Sequence, residues 1–426
     1  MVDVSREPAP GTIRITDLGV PVLTELQQQA IAAAATVSIV LSETAVLDAA
    51  RARTGLSDFG ADDFRDRLRV WLQCVKDDDD LGPLGRLQLY EDFVRLASNR
   101  LRVEQLRRHP EILDIELRCP IVIAGLPRSG TTHLVNLIAA DSRFRSMPLW
   151  EGMEPVPPAN GGGEADLRIA RARAQWGQFE TLLPLMPAMH EMAPEHVHED
   201  IELQQIDFSS YNLEWTCRAH AWRDWYLAND QTPHYLYALK VHRALSWIRG
   251  PERWLMKSPQ HMENLSPLIR TYPDAVIVLT HRDPVAVIQS IVTMLAYGDR
   301  IRRAVMDLPS LAVYWIQRVE ILLRACVRDC DVLPPARRLH VLFHEYMADT
   351  AATLRGVYDL AGLEITSETQ ARFAAYHAAN PRGRKGQVAY DLQGDFGVDV
   401  AQLRERFQFY YERFPVEHER VRGETK

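Results

Sequence analysis

The residues best placed to do chemistry in this 426-residue sequence lie in IVIAGLPRSGTTHLVNLI, residues 121–138. Gly125 and Gly130 bracket four residues, directly after a short apolar run and directly before a helical pattern. A turn of that length aims backbone N–H groups and the positive end of a helix at one anion, and Thr131 and Thr132 add hydroxyl donors. Loops that bind nucleoside triphosphates carry lysine after the second glycine. Here Thr131 takes that place, and the cation comes earlier, at Arg128. The run AVIVLTH (275–281) leads into Arg282, where a metal-binding carboxylate would be expected. Two arginines without a magnesium ligand suit a transferring group that needs no metal and count against phosphoryl transfer. A second concentration of reactive types is HEMAPEHVHEDIEL (190–203), with His190, Glu195, His196, His198, Glu199 and Asp200. It lacks the H-E-x-x-H spacing of a helical metal site, and Pro194 interrupts a helix there, so no metal is expected.

Short apolar runs around these groups supply the frame. PIVIAG (120–125), RWLMKS (253–258), AVIVLTH and LHVLFH (339–344) alternate with helical segments such as LAVYWIQRVEILLRACVRD (311–329). Strand, helix, strand alternation predicts an α/β fold with a parallel β-sheet flanked by helices. Upstream, residues 20–118 read as an all-helical N-terminal region, with Phe64, Leu68, Trp71, Leu72 and Val75 as one buried stripe. Asp77 to Asp80 are expected to be a solvated connection, and VPPANGGG (156–163) an exposed loop. Phe208, Tyr211, Trp215, Trp222, Trp225 and Tyr226 read mainly as helix core, with some of them free to line an apolar pocket.

Composition narrows the class. An apolar fraction of 46% and a charged fraction of 25% exclude a disordered or fibrous chain. A net charge of −8 gives no bulk attraction to nucleic acid. Five scattered cysteines make no disulfide framework, and neither a membrane-spanning run nor a secretory leader is legible, so a cytoplasmic setting is expected.

Across residues 119–390 these motifs, in this order, resemble the sulfotransferases that use 3′-phosphoadenosine 5′-phosphosulfate (PAPS), and most closely the bacterial branch whose loop reads PRSGTT. The resemblance implies that Arg128, Ser129, Gly130, Thr131 and Thr132 hold the 5′-phosphosulfate. It implies that Arg282 and Ser290, eight residues or about two helical turns apart, hold the 3′-phosphate. Lys257 in WLMKSPQH would neutralise charge on the bridging oxygen as the S–O bond breaks. Arg384, Lys385 and Gly386 match an R-K-G element of a segment that covers the cofactor, and His344 stands where the family has an adenine-contacting aromatic. His198-Glu199-Asp200 aligns with an acidic pair followed by Asp, which makes Glu199 the candidate base, with His198 as the alternative. The implied domains are a helical region at 1–118 and a sulfotransferase domain at 119–426. The aromatic stretch Phe208 to Tyr226 favours a small, hydrophobic hydroxyl compound as acceptor. The rival readings are a P-loop kinase and a nucleotide-binding protein without chemistry.

Overall fold

The computed structural model describes residues 12–157, 164–250, 252–381 and 383–421. From residue 158 on, the expected loop at 156–163 lies outside the described residues. Five strands form one parallel sheet: β2 (Ile121–Gly125), β3 (Phe144–Arg145), β4 (Arg253–Lys257), β5 (Val276–His281) and β6 (Arg338–Leu342), in the order β3-β4-β2-β5-β6. Every residue of β2 and β5 is buried, which is why these strands are continuous apolar runs rather than alternating ones. Ile123 pairs with Lys257 and Gly125 with Thr280, so β2, β4 and β5 end side by side. After β2 the chain visits the β3 and β4 side, then crosses to β5. The strand ends at such a reversal leave a crevice where ligands of α/β sheets bind.

The N-terminal region contains α1 (Glu25–Ala35), α2 (Glu43–Thr54), α3 (Phe64–Asp77) and α4 (Pro83–Gln105). Local chemistry sets their ends. Thr24 and Gln27 form a reciprocal capping box on α1, Ser42 caps α2, and Gly55 closes α2 in the left-handed conformation at φ 68°. The predicted stripe of α3 is buried throughout, with Trp71 edge-on to Phe208 and Trp222 at 5.5 Å. One core therefore joins α2, α3 and α4 to the stretch Phe208–Tyr226.

Two expectations are corrected. The N-terminal region is not wholly helical. Thr12–Arg14 forms β1, which pairs in parallel with β7 (Gln387–Ala389) to make a separate two-stranded sheet. Three residues carry no legible alternation, and their partner is 375 positions away. Nor is Asp77–Asp80 merely solvated. The Asp78 side chain is fully buried, accepts from Arg303 at 2.9 and 3.0 Å and from the Arg218 backbone, and so locks the start of α4 to the α/β layer.

Candidate active site

The loop between β2 and α5 (Thr131–Ile138) has a shape that its sequence dictates. A Cβ on Gly125 would fall 1.8 Å from Thr280 Oγ1, so only glycine lets β2 and β5 approach this closely. Arg128 takes φ 68° and Gly130 φ 85°, which turns the chain sharply into α5. The Ser129 hydroxyl faces inward, donating to the Leu126 carbonyl at 2.6 Å and sharing a bond of 2.8 Å with Thr280. Its side chain thus holds the loop rather than facing the space above it. Gly130, Thr131 and Thr132 do face that space, which is one cavity of about 1310 Å³. Single-ligand pockets run to about 300–1,000 Å³, so this one has room for two substrates.

Arg128, Arg282 and Ser290 converge at one end. Arg128 Nε donates to Ser290 Oγ at 3.0 Å, and Ser290 donates to Tyr390 at 3.1 Å. Arg282 donates Nη1 to the Arg128 carbonyl and stacks on Phe343 at 4.1 Å. Its remaining donors grip Glu419 bidentately, at 2.5 and 2.7 Å. Burial, with Arg282 close by, holds the Arg128 guanidinium below its ordinary pKa. Arg128 and Arg282 thus gather beside the loop, with Ser290 on the Arg128 side and Glu419 on the Arg282 fork.

Behind the cavity wall, Lys257 Nζ reaches Glu199 Oε1 at 2.5 Å and Thr132 Oγ1 at 3.4 Å. Glu199 and Thr132 are in the cavity wall, and Lys257 lies behind them, 2% exposed. Strand β4 is tied to the acidic stretch by Asp200, whose N–H donates to the Lys257 carbonyl and whose carboxylate meets His261 Nε2 at 3.0 Å. Burial opposes the charge of Asp200, yet His261 prevails and keeps its carboxyl below the usual range. His198 shares a bond of 3.2 Å with Glu202 one turn later. Burial pushes His196 down to about 4 and His190 well below its ordinary value, with Lys257 adding to both and Arg128 to His190, so these two wall residues are neutral at pH 7.

The R-K-G element borders the same cavity. Arg384 grips Glu191 at 2.5 and 3.2 Å, and Gly386, at φ 102°, leaves room for Ile13 of β1. His344 is turned away, 3.9 Å from Glu417, because the chain becomes helical at Phe343 rather than continuing β6. Phe343 and Tyr346, which the sequence did not single out, are the aromatic groups that line this end. Tyr390 and Glu419 also escaped notice, since only the closing of the C-terminal segment brings them to Ser290 and Arg282. Of the expected aromatics, Phe208, Trp222 and Tyr226 are core, and Tyr211 and Trp215 reach the cavity. Among the described residues, no group of three or more His, Cys, Asp or Glu is arranged to hold a metal ion.

A parallel sheet with a glycine-bounded anion loop at its reversal point defines a P-loop-like α/β protein. Residues 120–367, more than half of the sequence, match the family described as Sulfotransferase family, and the chain belongs to it. It is therefore a transferase that moves a sulfonate group, for which the family implies a donor such as PAPS. The fold is similar to that of the sulfotransferase STF9 from Mycobacterium avium, with a TM-score of 0.79 and 25% identity, covering 89% of this chain and 98% of that one. It is also similar to the fold of the sulfotransferase STF1 from Mycobacterium tuberculosis H37Rv, with a TM-score of 0.76 and 24% identity, covering 86% and 98%. Coverage of 89% exceeds what residues 119–426 alone can supply, so the likeness extends into the N-terminal helices. A search of curated proteins found no match.

Proposed function

We propose that the chain is a PAPS-dependent sulfotransferase of the PRSGTT-loop type and that Glu199 and Lys257 carry out the transfer. The observation that carries this reading is the Lys257–Glu199 ion pair, set against Thr132 in a cavity with room for two substrates. Gly130, Thr131 and Thr132 would meet the 5′-phosphosulfate, and Arg128, Arg282 and Ser290 the 3′-phosphate, with Ser129 shaping the loop. Arg384, Lys385 and Gly386 would close over the nucleotide. The acceptor hydroxyl enters beside Glu199, which takes its proton. Once Glu199 bonds the acceptor, Lys257 is freed toward Thr132, where its charge meets the oxygen left behind by sulfur. His198, held by Glu202, shapes the wall. The helices between residues 20 and 118 would roof the acceptor end, and residues 119–426 would be the transferase domain. The acceptor is a small, largely apolar alcohol.

The protein contains no helix long and apolar enough to cross a membrane among the described residues. The five cysteines are free, which suits the reducing cytoplasm. Transfer of label from sulfur-labelled PAPS to a library of hydroxylated acceptors tests the reading, together with calorimetric titration. Tight binding of adenosine 3′,5′-bisphosphate and weak binding of ATP are expected. The reverse preference would make the chain a kinase.

A further inference from the structure

The cavity continues beyond Glu199, between α4 and the helix Pro284–Asp299. Arg282 precedes that helix and Arg302 follows it. Its 16 residues, rising about 1.5 Å each, make it about 24 Å long. Arg302 thus lines the far end, among Leu84, Leu87, Met186 and Met294. Among the described residues, no carboxylate lies within ion-pair distance of its guanidinium. Its side chain donates once, from Nε to Gln88 at 3.4 Å.

The carboxylates nearest in effect belong to other cations. Asp299 is gripped by Arg303 at 2.9 Å and Asp92 by Arg95 at 3.3 Å. Burial pushes the Asp92 carboxyl up, with Arg95 opposing. Burial also holds the Arg302 guanidinium below its ordinary pKa, the mark of a desolvated charge without full compensation. Space is kept for it by glycines. A Cβ on Gly298 would stand 3.3 Å from Arg302 Nη1, and one on Gly85 would stand 3.2 Å from Arg302 Cβ.

We infer that Arg302 receives a carboxylate at the far end of the acceptor, so that the substrate is an elongated hydroxy acid with an apolar stem. The hydroxyl lies at Glu199, the stem along the Leu and Met side chains, and the carboxylate on the free face of the Arg302 fork. This rests on the proposed acceptor site. It adds a reason for the cavity's reach and for a cation placed so far from both phosphate positions.

The test uses the full chain, a long-chain ω-hydroxy fatty acid and the methyl ester of the same compound. Sulfonation with PAPS should show a KM for the acid ~10- to 100-fold below that for the ester. In Arg302→Gln that difference should vanish, and in Arg302→Lys it should be partly kept. Equal KM values for acid and ester in the unmodified chain would overturn the inference, as would a preference that survives in Arg302→Gln. Calorimetric titration of the acid and ester, without donor, reads the Arg302 contact apart from turnover. Failure to bind adenosine 3′,5′-bisphosphate would sink the donor assignment. Equal binding of acid and ester would sink only this one.

Discussion

Arg282 offers one planar fork, and Glu419 fills it with a carboxylate where the proposed 3′-phosphate would lie. The two anions compete, so Glu419→Gln should tighten adenosine 3′,5′-bisphosphate by up to ~5-fold, the worth of a partly exposed ion pair. Arg282→Ala should weaken it by about 2–3 kcal/mol, roughly 30- to 150-fold, with little change for adenosine 5′-phosphate. Calorimetry with both nucleotides decides, and equal losses would mean that Arg282 does not read the 3′ group. Glu199 and Lys257 divide differently. Glu199→Gln keeps size but removes the base, so turnover should fall ~100-fold or more, whereas His198→Gln should keep most of it. An inactive His198 variant beside an active Glu199 one would hand the proton to the histidine. Lys257→Ala should lower kcat far more than nucleotide affinity, since its charge matters most while the bond breaks. A raised KM at constant kcat would reassign it to ground-state binding.

At the scale of elements, the proposed cover over the nucleotide is tied to β1. Arg14 grips Asp395 with two bonds of 2.7 Å, and β1 pairs with β7 directly after Gly386. Arg14→Ala should speed hydrogen exchange over residues 387–389 and raise the KM for the donor a few-fold while kcat holds. Unchanged exchange would show that the cover stands without β1. The phosphate loop and the four strands around it were legible because each is a local pattern: an apolar run, a glycine-bounded turn, a helix start. Glu199 and Lys257 were legible only as members of motifs. Their contact joins positions 58 apart and depends on the sheet order. Nothing local marks β1, Tyr390 or Glu419, whose roles exist only when distant segments meet. Asp78 misled for the same reason: within a run of four acids it is the one that turns inward, and Arg303 is not visible from its neighbours.

For the whole molecule, buried neutral histidines set the acid limit. Burial holds His242 at about 4 and His281 at about 3. An unfolded histidine titrates near 6.5. Between these values the unfolded chain binds more protons than the folded one, so stability is whole above about pH 6.5 and is lost as pH falls. Each such histidine adds up to about 1.4 kcal/mol per pH unit to that slope. Melting temperatures measured from pH 7 to pH 4 should therefore decline steadily below about 6.5. A flat profile would mean that these rings are not neutral in the fold. Heat and acid are not the only trials, because the order of synthesis is another. Strand β1 is made early and must wait until β7, 375 residues later, has left the ribosome. At about 5–20 residues per second, that is roughly 20 to 75 seconds with an unpaired edge. Glu419 comes later still, so a nascent chain can build the turn between β2 and α5 long before Glu419 can reach Arg282.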